Sequence, residues 1–227
     1  KAGQKNFRKG LSFNPDFIDC VYNTLNPSII RKKATIPLEQ IVQKNNVLYQ
    51  KLCQNEIFKF VSSGRVVEQK RFDRAIQAAK LLKLQGKEFL WFIIGDGELY
   101  CEISELILNE GLEDCVFLTG GLKNPFPVIN CCDVFVLTSD FEAHPMVANE
   151  ALILGKPVIS TSFESAKEVV FDGKNGIICT MDPVNIALAC KKVIEDQRFF
   201  SDLQFEANQF CYCNDAIIDK VTEIIGG

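Results

Sequence analysis

A single histidine, His144, is present among 227 residues, and the ten cysteines contain no CxxC pair. Both scarcities argue against a zinc site, which draws its ligands from clustered Cys and His. Cysteines in apolar runs such as "DCVFLTG" and "GIICT" read instead as reduced thiols that pack as small hydrophobes, in a reducing compartment. No apolar run approaches the roughly 20 residues that cross a bilayer, and the N-terminus carries no charged-then-apolar leader pattern. The expected location is the cytoplasm. With 47% hydrophobic and 24% charged residues the chain is neither disordered nor fibrous.

The charge that is present is unevenly distributed. Residues 1–70 carry 12 Lys and Arg against 5 Asp and Glu, a balance of +7, while residues 71–227 carry 13 against 24, a balance of −11, giving the net −4. A basic N-terminal segment on an acidic body is either a solvated surface or a contact for anionic lipid or a phosphate-bearing substrate. On the second view the chain associates peripherally with the inner face of the plasma membrane.

From about residue 57 onward, apolar runs of strand length alternate with amphipathic helical segments. The runs at 57–63, 89–95, 115–120, 133–139, 157–162 and 176–180 are hydrophobic nearly throughout, which implies a sheet covered on both faces. Helices are expected at 72–84, 99–109, 125–131, 145–154, 166–171 and 183–196, and from about 201, with Gly86, Gly111, Gly155 and Gly173 just past helix ends. This βα alternation predicts an α/β fold with a doubly wound, mostly parallel, Rossmann-like sheet. The length suits one large domain and is short for two full Rossmann-type domains. Residues 57–227 read as that domain, and 1–56 as a basic entry segment packed on it, with a strand at 17–23, a short helix after "NPSIIRKKA" and a helix at 38–53.

In a doubly wound sheet ligands bind beyond the carboxyl ends of the strands, so the loops there carry the candidate chemistry. "SSGRVVEQKRFD" follows the first run: Gly64 allows a tight exit, and Arg65 and Lys70 offer a donor fork and a point charge that suit a diphosphate. "SDFEAHPMVANEAL" follows the fourth. Pro145 is expected as the first residue of a helix, leaving the amides of Met146 and Val147 unpaired and aimed at the crevice, an anion site needing no metal. Glu142 precedes that helix and Glu150 lies on its second turn, so both carboxylates can address one ligand. His144 is either a ligand contact or a plain helix-entry residue. Asp140 and Glu142, one residue apart, have the spacing of a metal-binding pair, an idea weakened by the cations and helix terminus already at hand. "GDG" (95–97) reads as a turn, and "TGGLKNP" (119–125), with Gly120, Lys123 and Asn124, as either an ordinary turn or a wrap for a base.

The ordered set "GR…K", "GDG", "VFLTGGLKNP", "CDVFVLTSDFEAHPMVANEALILGKPVIST" and "EVVFDGKNGII" resembles the C-terminal, donor-binding domain of family 4 retaining glycosyltransferases (glycosyl transferases group 1), built on the GT-B fold. The resemblance covers roughly residues 57–196 and extends back toward "VYNTLNPSIIRKKA". It implies that Arg65 and Lys70 contact the diphosphate of a nucleotide sugar, Glu142 the donor sugar and Glu150 the ribose hydroxyls. It further implies a metal-independent hexosyl transfer with retention, in which the acceptor attacks from the leaving-group face and no protein nucleophile is needed. Arg65, Lys70 and Glu142 are then the catalytic set. Gly64, Gly120, Lys123, Asn124, His144, Pro145, Met146, Val147 and Glu150 complete donor binding. Ala143 and His144 depart from the Gly and aromatic usual in that family.

The partners so implied are a nucleotide sugar, UDP-linked in preference to GDP-linked, and a glycan or lipid-linked acceptor, in a setting of bacterial surface polysaccharide assembly, without nucleic acid. The acceptor-binding half is expected to be largely missing, and the isolated chain to bind donor but transfer slowly or not at all. A sugar-nucleotide epimerase of the same fold and a non-catalytic nucleotide-sugar-binding module are the competing readings.

Overall fold

The computed structural model describes residues 23–42 and 46–226. The strand expected at 17–23 lies, apart from its last residue, outside them.

Six strands form one sheet: β1 (Phe58–Ser63), β2 (Phe89–Ile94), β3 (Val116–Gly120), β4 (Val134–Leu137), β5 (Val158–Thr161) and β6 (Gly176–Cys179). Every pairing is parallel, and the order is β3-β2-β1-β4-β5-β6. Parallel strands need a crossover between them, and helices supply it on both faces. The helices are α1 (Pro27–Ala34), α2 (Leu38–Ile41), α3 (Asn46–Leu52), α4 (Phe72–Leu84), α5 (Tyr100–Asn109), α6 (Phe126–Asn130), α7 (Met146–Ile153), α8 (Pro183–Glu195), α9 (Gln197–Asn208) and α10 (Asp215–Gly226); α4 to α7 are the crossovers from β1 to β5, α1 to α3 precede the sheet and α8 to α10 follow it. The chain is an α/β protein with a Rossmann-like sheet.

Alternation along the strands splits the core in two. Val61, Phe92 and Phe135 face a layer that includes Ile30 of α1, Leu52 of α3, Ile129 of α6 and Leu152 of α7. Phe60, Trp91 and Val134 face the other, with Ile76 of α4, Ile107 of α5 and Val193 of α8. Each strand is thus apolar on both sides, which is why its sequence shows no polar alternation. Trp91 is fully buried, and its indole N–H is satisfied by Ser62 Oγ at 3.1 Å, which itself donates to Val136 O at 2.7 Å. Residues before the first strand belong to this core: Ile30, Leu48 and Leu52 are buried in it.

Several boundaries differ from expectation for local reasons. The helix expected at 166–171 is a 3-10 turn over Glu164–Glu168. Asn175 draws the following residues into a loop, accepting from Phe171 N at 2.7 Å and donating to Val169 O at 3.1 Å, so Gly173 serves a turn and not a helix end. The C-terminal stretch is two helices: Asp196 caps α9 through Phe199 N at 2.9 Å, and residues 209–214 separate it from α10. The helix expected at 38–53 is seen as α2 and α3, with 43–45 outside the described residues. Residues on either side of the domain are clasped together: Leu25 N donates to Asn214 Oδ1 at 3.2 Å, Asn214 Nδ2 donates to Leu25 O at 2.7 Å, and Tyr212 Oη donates to Asn23 O at 2.7 Å.

Candidate functional site

The strand order reverses between β1 and β4, so their loops, 64–71 and 138–145, leave the sheet side by side. That crevice is where a doubly wound sheet binds its ligand. The first loop is held from behind by glycines. A Cβ on Gly95 would stand 1.8 Å from Gly64 O, and one on Gly97 would stand 2.4 Å from Val66 O, so the β1 and β2 exits pack backbone to backbone. Gly95 N donates in turn to Gly120 O at 3.0 Å, adding the end of β3. "GDG" is therefore a packing turn. Gly64 faces outward: a Cβ there would meet Lys70 Cε at 2.8 Å, so the lysine stem lies across it.

Lys70 then reaches the second loop. Its Nζ donates to Glu142 Oε1 at 2.6 Å, with only 14% and 12% of the two side chains exposed. Ser139 Oγ donates to the same oxygen at 2.8 Å, and Ser165 Oγ to the Glu142 main-chain carbonyl at 2.7 Å. The seam between the loops continues below this pair. Asp140 N donates to Gln69 O at 2.9 Å, Gln69 Nε2 to Phe141 O at 2.7 Å, and Thr138 Oγ1 to Lys70 O at 2.8 Å.

Asp140 turns away from Glu142 to two arginines, Arg74 at 2.6 Å and Arg71 at 3.3 Å. Arg71 holds a left-handed backbone, φ +50°, unusual for a residue with a Cβ. Its guanidinium is anchored on Asp73 by two bonds of 2.9 and 2.8 Å. The Asp73 carboxylate raises the Arg71 pKa further above its ordinary value. For Asp73 burial works against the charge, and the Arg71 fork outweighs it, lowering the pKa. With Asp140 held by arginines and Glu142 by a lysine, the pair is arranged as anchors of the loop.

The entry to α7 differs from expectation. Pro145 is the cap residue (φ −77°, ψ 76°) and the helix starts at Met146. Met146 N donates back to His144 O at 2.8 Å, closing a three-residue turn, so this amide is not left for a ligand. The Val147 amide has no acceptor among the described residues. His144 Nε2 lies 3.1 Å from Asn149 Nδ2. Burial lowers the His144 pKa against the pull of Glu168, keeping the ring neutral near pH 7. Glu150 is half-buried, and its carboxylate has no hydrogen-bond or ion-pair partner among the described residues; burial raises its pKa. A partly desolvated carboxylate without a protein partner is open to a ligand, and groups with burial-shifted pKa values gather at binding sites.

The remaining candidates scatter. Arg65 and Lys123 are exposed, and Asn124 is drawn to the end of α1, where its Nδ2 donates to Lys33 O at 2.9 Å. The structure brings Lys70 into contact with Glu142 and lays its stem over Gly64, with Gly120 linked to Gly64 through Gly95. Sequence reasoning missed the groups that hold this arrangement: Gln69, Thr138, Ser139, Asn149 and Ser165. Ser139 alone left a trace, three residues before Glu142. A groove of about 490 Å³ lies on the outer flank of the first loop, between Val66, Phe72, Leu99 and Ile103, and touches neither Lys70 nor Glu142.

Residues 50–209 match the family model described as "Glycosyl transferases group 1". An uncharacterized glycosyltransferase of Methanocaldococcus jannaschii is 29% identical over 203 residues, 79% of this chain and 50% of the relative. The chain spans about half the length of that curated relative. Among solved structures, TarM of S. aureus, in complex with fondaparinux, alpha-GlcNAc-glycerol and UDP, superposes with a TM-score of 0.81 at 19% identity, over 100% of this chain and 43% of that one. HepE of Anabaena, in complex with UDP-glucose, gives 0.79 at 22% identity, over 98% of this chain and 61% of that one. At these identities the likeness concerns the fold.

Proposed function

Because the chain belongs to the glycosyl transferases group 1 family, we propose that it is the donor-binding half of a retaining GT-B glycosyltransferase and binds a nucleotide-diphosphate sugar between its two switch-point loops. The observation that carries this reading is the Lys70–Glu142 contact across the crevice, followed along α7 by the unpartnered Glu150. Lys70, with Arg65 on the same loop, stabilises the diphosphate, whose negative charge grows as the bond to the anomeric carbon breaks. The free Val147 amide at the start of α7 adds a donor of the kind that binds oxyanions. Glu142 orients the sugar and Glu150 takes the ribose hydroxyls, its lone pairs being unused by the protein.

UDP is the preferred nucleotide: TarM and HepE, which share the fold, were each solved with UDP or a UDP-sugar. The cations and the amide supply the phosphate contacts without a metal ion, and retention follows from acceptor attack on the leaving-group face. The acceptor is a glycan or a lipid-linked sugar, handled in the cytoplasm at the membrane surface. Among the described residues no helix is long and apolar enough to cross a membrane.

Titration calorimetry with UDP, UDP-glucose and GDP-mannose tests the donor reading. Saturable binding that is weakened by Lys70→Ala supports it. Absence of binding to any of the three overturns it.

A further inference from the structure

Glu142 sits in a loop whose neighbouring side chains, Phe141 and Ala143, are exposed, yet it is held from three directions. Its Oε1 is committed twice, to Lys70 Nζ and to Ser139 Oγ. Its main-chain carbonyl accepts from Ser165 Oγ. Its Oε2 accepts from no group among the described residues. Both serines are fully buried, at 0% exposure. Ser139 is itself fixed, since its carbonyl accepts from Thr161 Oγ1, at the end of β5, at 2.7 Å. Ser165 comes from a different connection, the turn between β5 and β6.

The two buried hydroxyls hold different parts of Glu142: Ser139 fixes the carboxylate and Ser165 the main chain that carries it. A glutamate with exposed neighbours samples many rotamers, and holding one of them in advance lowers the entropy lost when a ligand is bound. The clamp spends one carboxylate oxygen on the protein and leaves the other as the acceptor a hydroxyl can reach.

We propose that Ser139 and Ser165 are positioning residues for ligand recognition: together they fix Glu142 so that Oε2 is presented to the sugar of the bound nucleotide sugar, and they set affinity for the sugar and not for the nucleotide. This rests on the donor reading above.

The test is calorimetric titration of Ser139→Ala and Ser165→Ala, each with the nucleoside diphosphate alone and with its sugar-linked form. The probe is whichever of UDP-glucose, UDP-N-acetylglucosamine and GDP-mannose the unaltered chain binds most tightly. Loss of one aligned hydrogen bond behind Glu142 is expected to weaken nucleotide-sugar binding about fivefold in each variant, while the free nucleotide stays within about twofold. A general loss of stability weakens both ligands alike, so the split between them separates positioning from mere packing. No loss, or equal loss for both ligands, overturns the positioning role and leaves the donor reading standing. Failure of the unaltered chain to bind any of the three probes overturns the donor reading, and the positioning role with it.

Discussion

Glu150 offers a substitution whose effects on stability and on binding should run in opposite directions. Its side chain is half-buried and has no partner among the described residues, and burial alone raises its pKa from the ordinary 4.5. Below about pH 4 the group is protonated whether the chain is folded or not, and it costs the fold little. As the pH rises through the raised folded value, the folded chain must carry a desolvated charge that the unfolded chain solvates freely, so stability falls. The carboxylate is only partly desolvated, so its cost is on the order of 1 kcal/mol, and the neutral amide of Glu150→Gln relieves most of it, so the variant should gain up to about 1 kcal/mol at pH 8. For a chain of this size that is a rise of about 2–4 °C in Tm. At pH 4 the gain should vanish. The same change removes a charged acceptor for ribose hydroxyls, worth about 1.5–3 kcal/mol, which lowers nucleotide affinity about 10- to 100-fold. Urea denaturation at pH 4 and pH 8, with calorimetric titration of UDP at pH 8, reads all three quantities. A variant less stable than the parent at pH 8 would show that the carboxylate has a partner in the fold. Unchanged UDP affinity would remove Glu150 from the site.

Lys70→Ala should weaken UDP binding by about tenfold or more, since a charge-assisted phosphate contact is lost, and should flatten its dependence on salt; an unchanged salt profile contradicts the contact. Gly95→Ala places a methyl 1.8 Å from Gly64 O, backbone against backbone, and should destabilise the fold by about 3 kcal/mol or more; a urea midpoint within error of the parent would refute the close packing. Asn214→Ala removes both bonds to Leu25 and should cost about 1–2 kcal/mol, read as a lower urea midpoint, with UDP affinity unchanged. Treatment with EDTA should leave UDP affinity unaltered, and a loss restored by added divalent cation would contradict metal-independent binding.

The sheet was legible in the sequence because each strand is packed on both faces, and runs such as "FLWFII" admit no other reading of comparable economy. Helix ends were legible at Gly86, Gly111 and Gly155, which follow the ends of α4, α5 and α7, and at Asp182, which caps α8, but not at Asn26 and Asp196, whose side chains cap α1 and α9. They failed where a distant residue takes over: Asn175 reaches back to 169 and 171 and unmakes a helix that local pattern favours. Lys70 and Glu142 could be nominated from their loops, but their 2.6 Å contact depends on β1 and β4 lying side by side, a property of strand order and not of spacing. Ser165 was invisible for a similar reason, since an isolated serine 23 residues from its acceptor leaves no local signal. Pro145 misled through its own chemistry: it suits the first helical position, yet here its ψ of 76° turns the preceding carbonyl onto Met146 N.

The asparagine clasp between Leu25 and Asn214 has a mechanical consequence. A pull that separates residues 23–25 from 212–214 loads three side-chain bonds directly, and none of them belongs to the sheet. Such a pull should therefore open the clasp at Tyr212 and Asn214 before it distorts the crevice between β1 and β4.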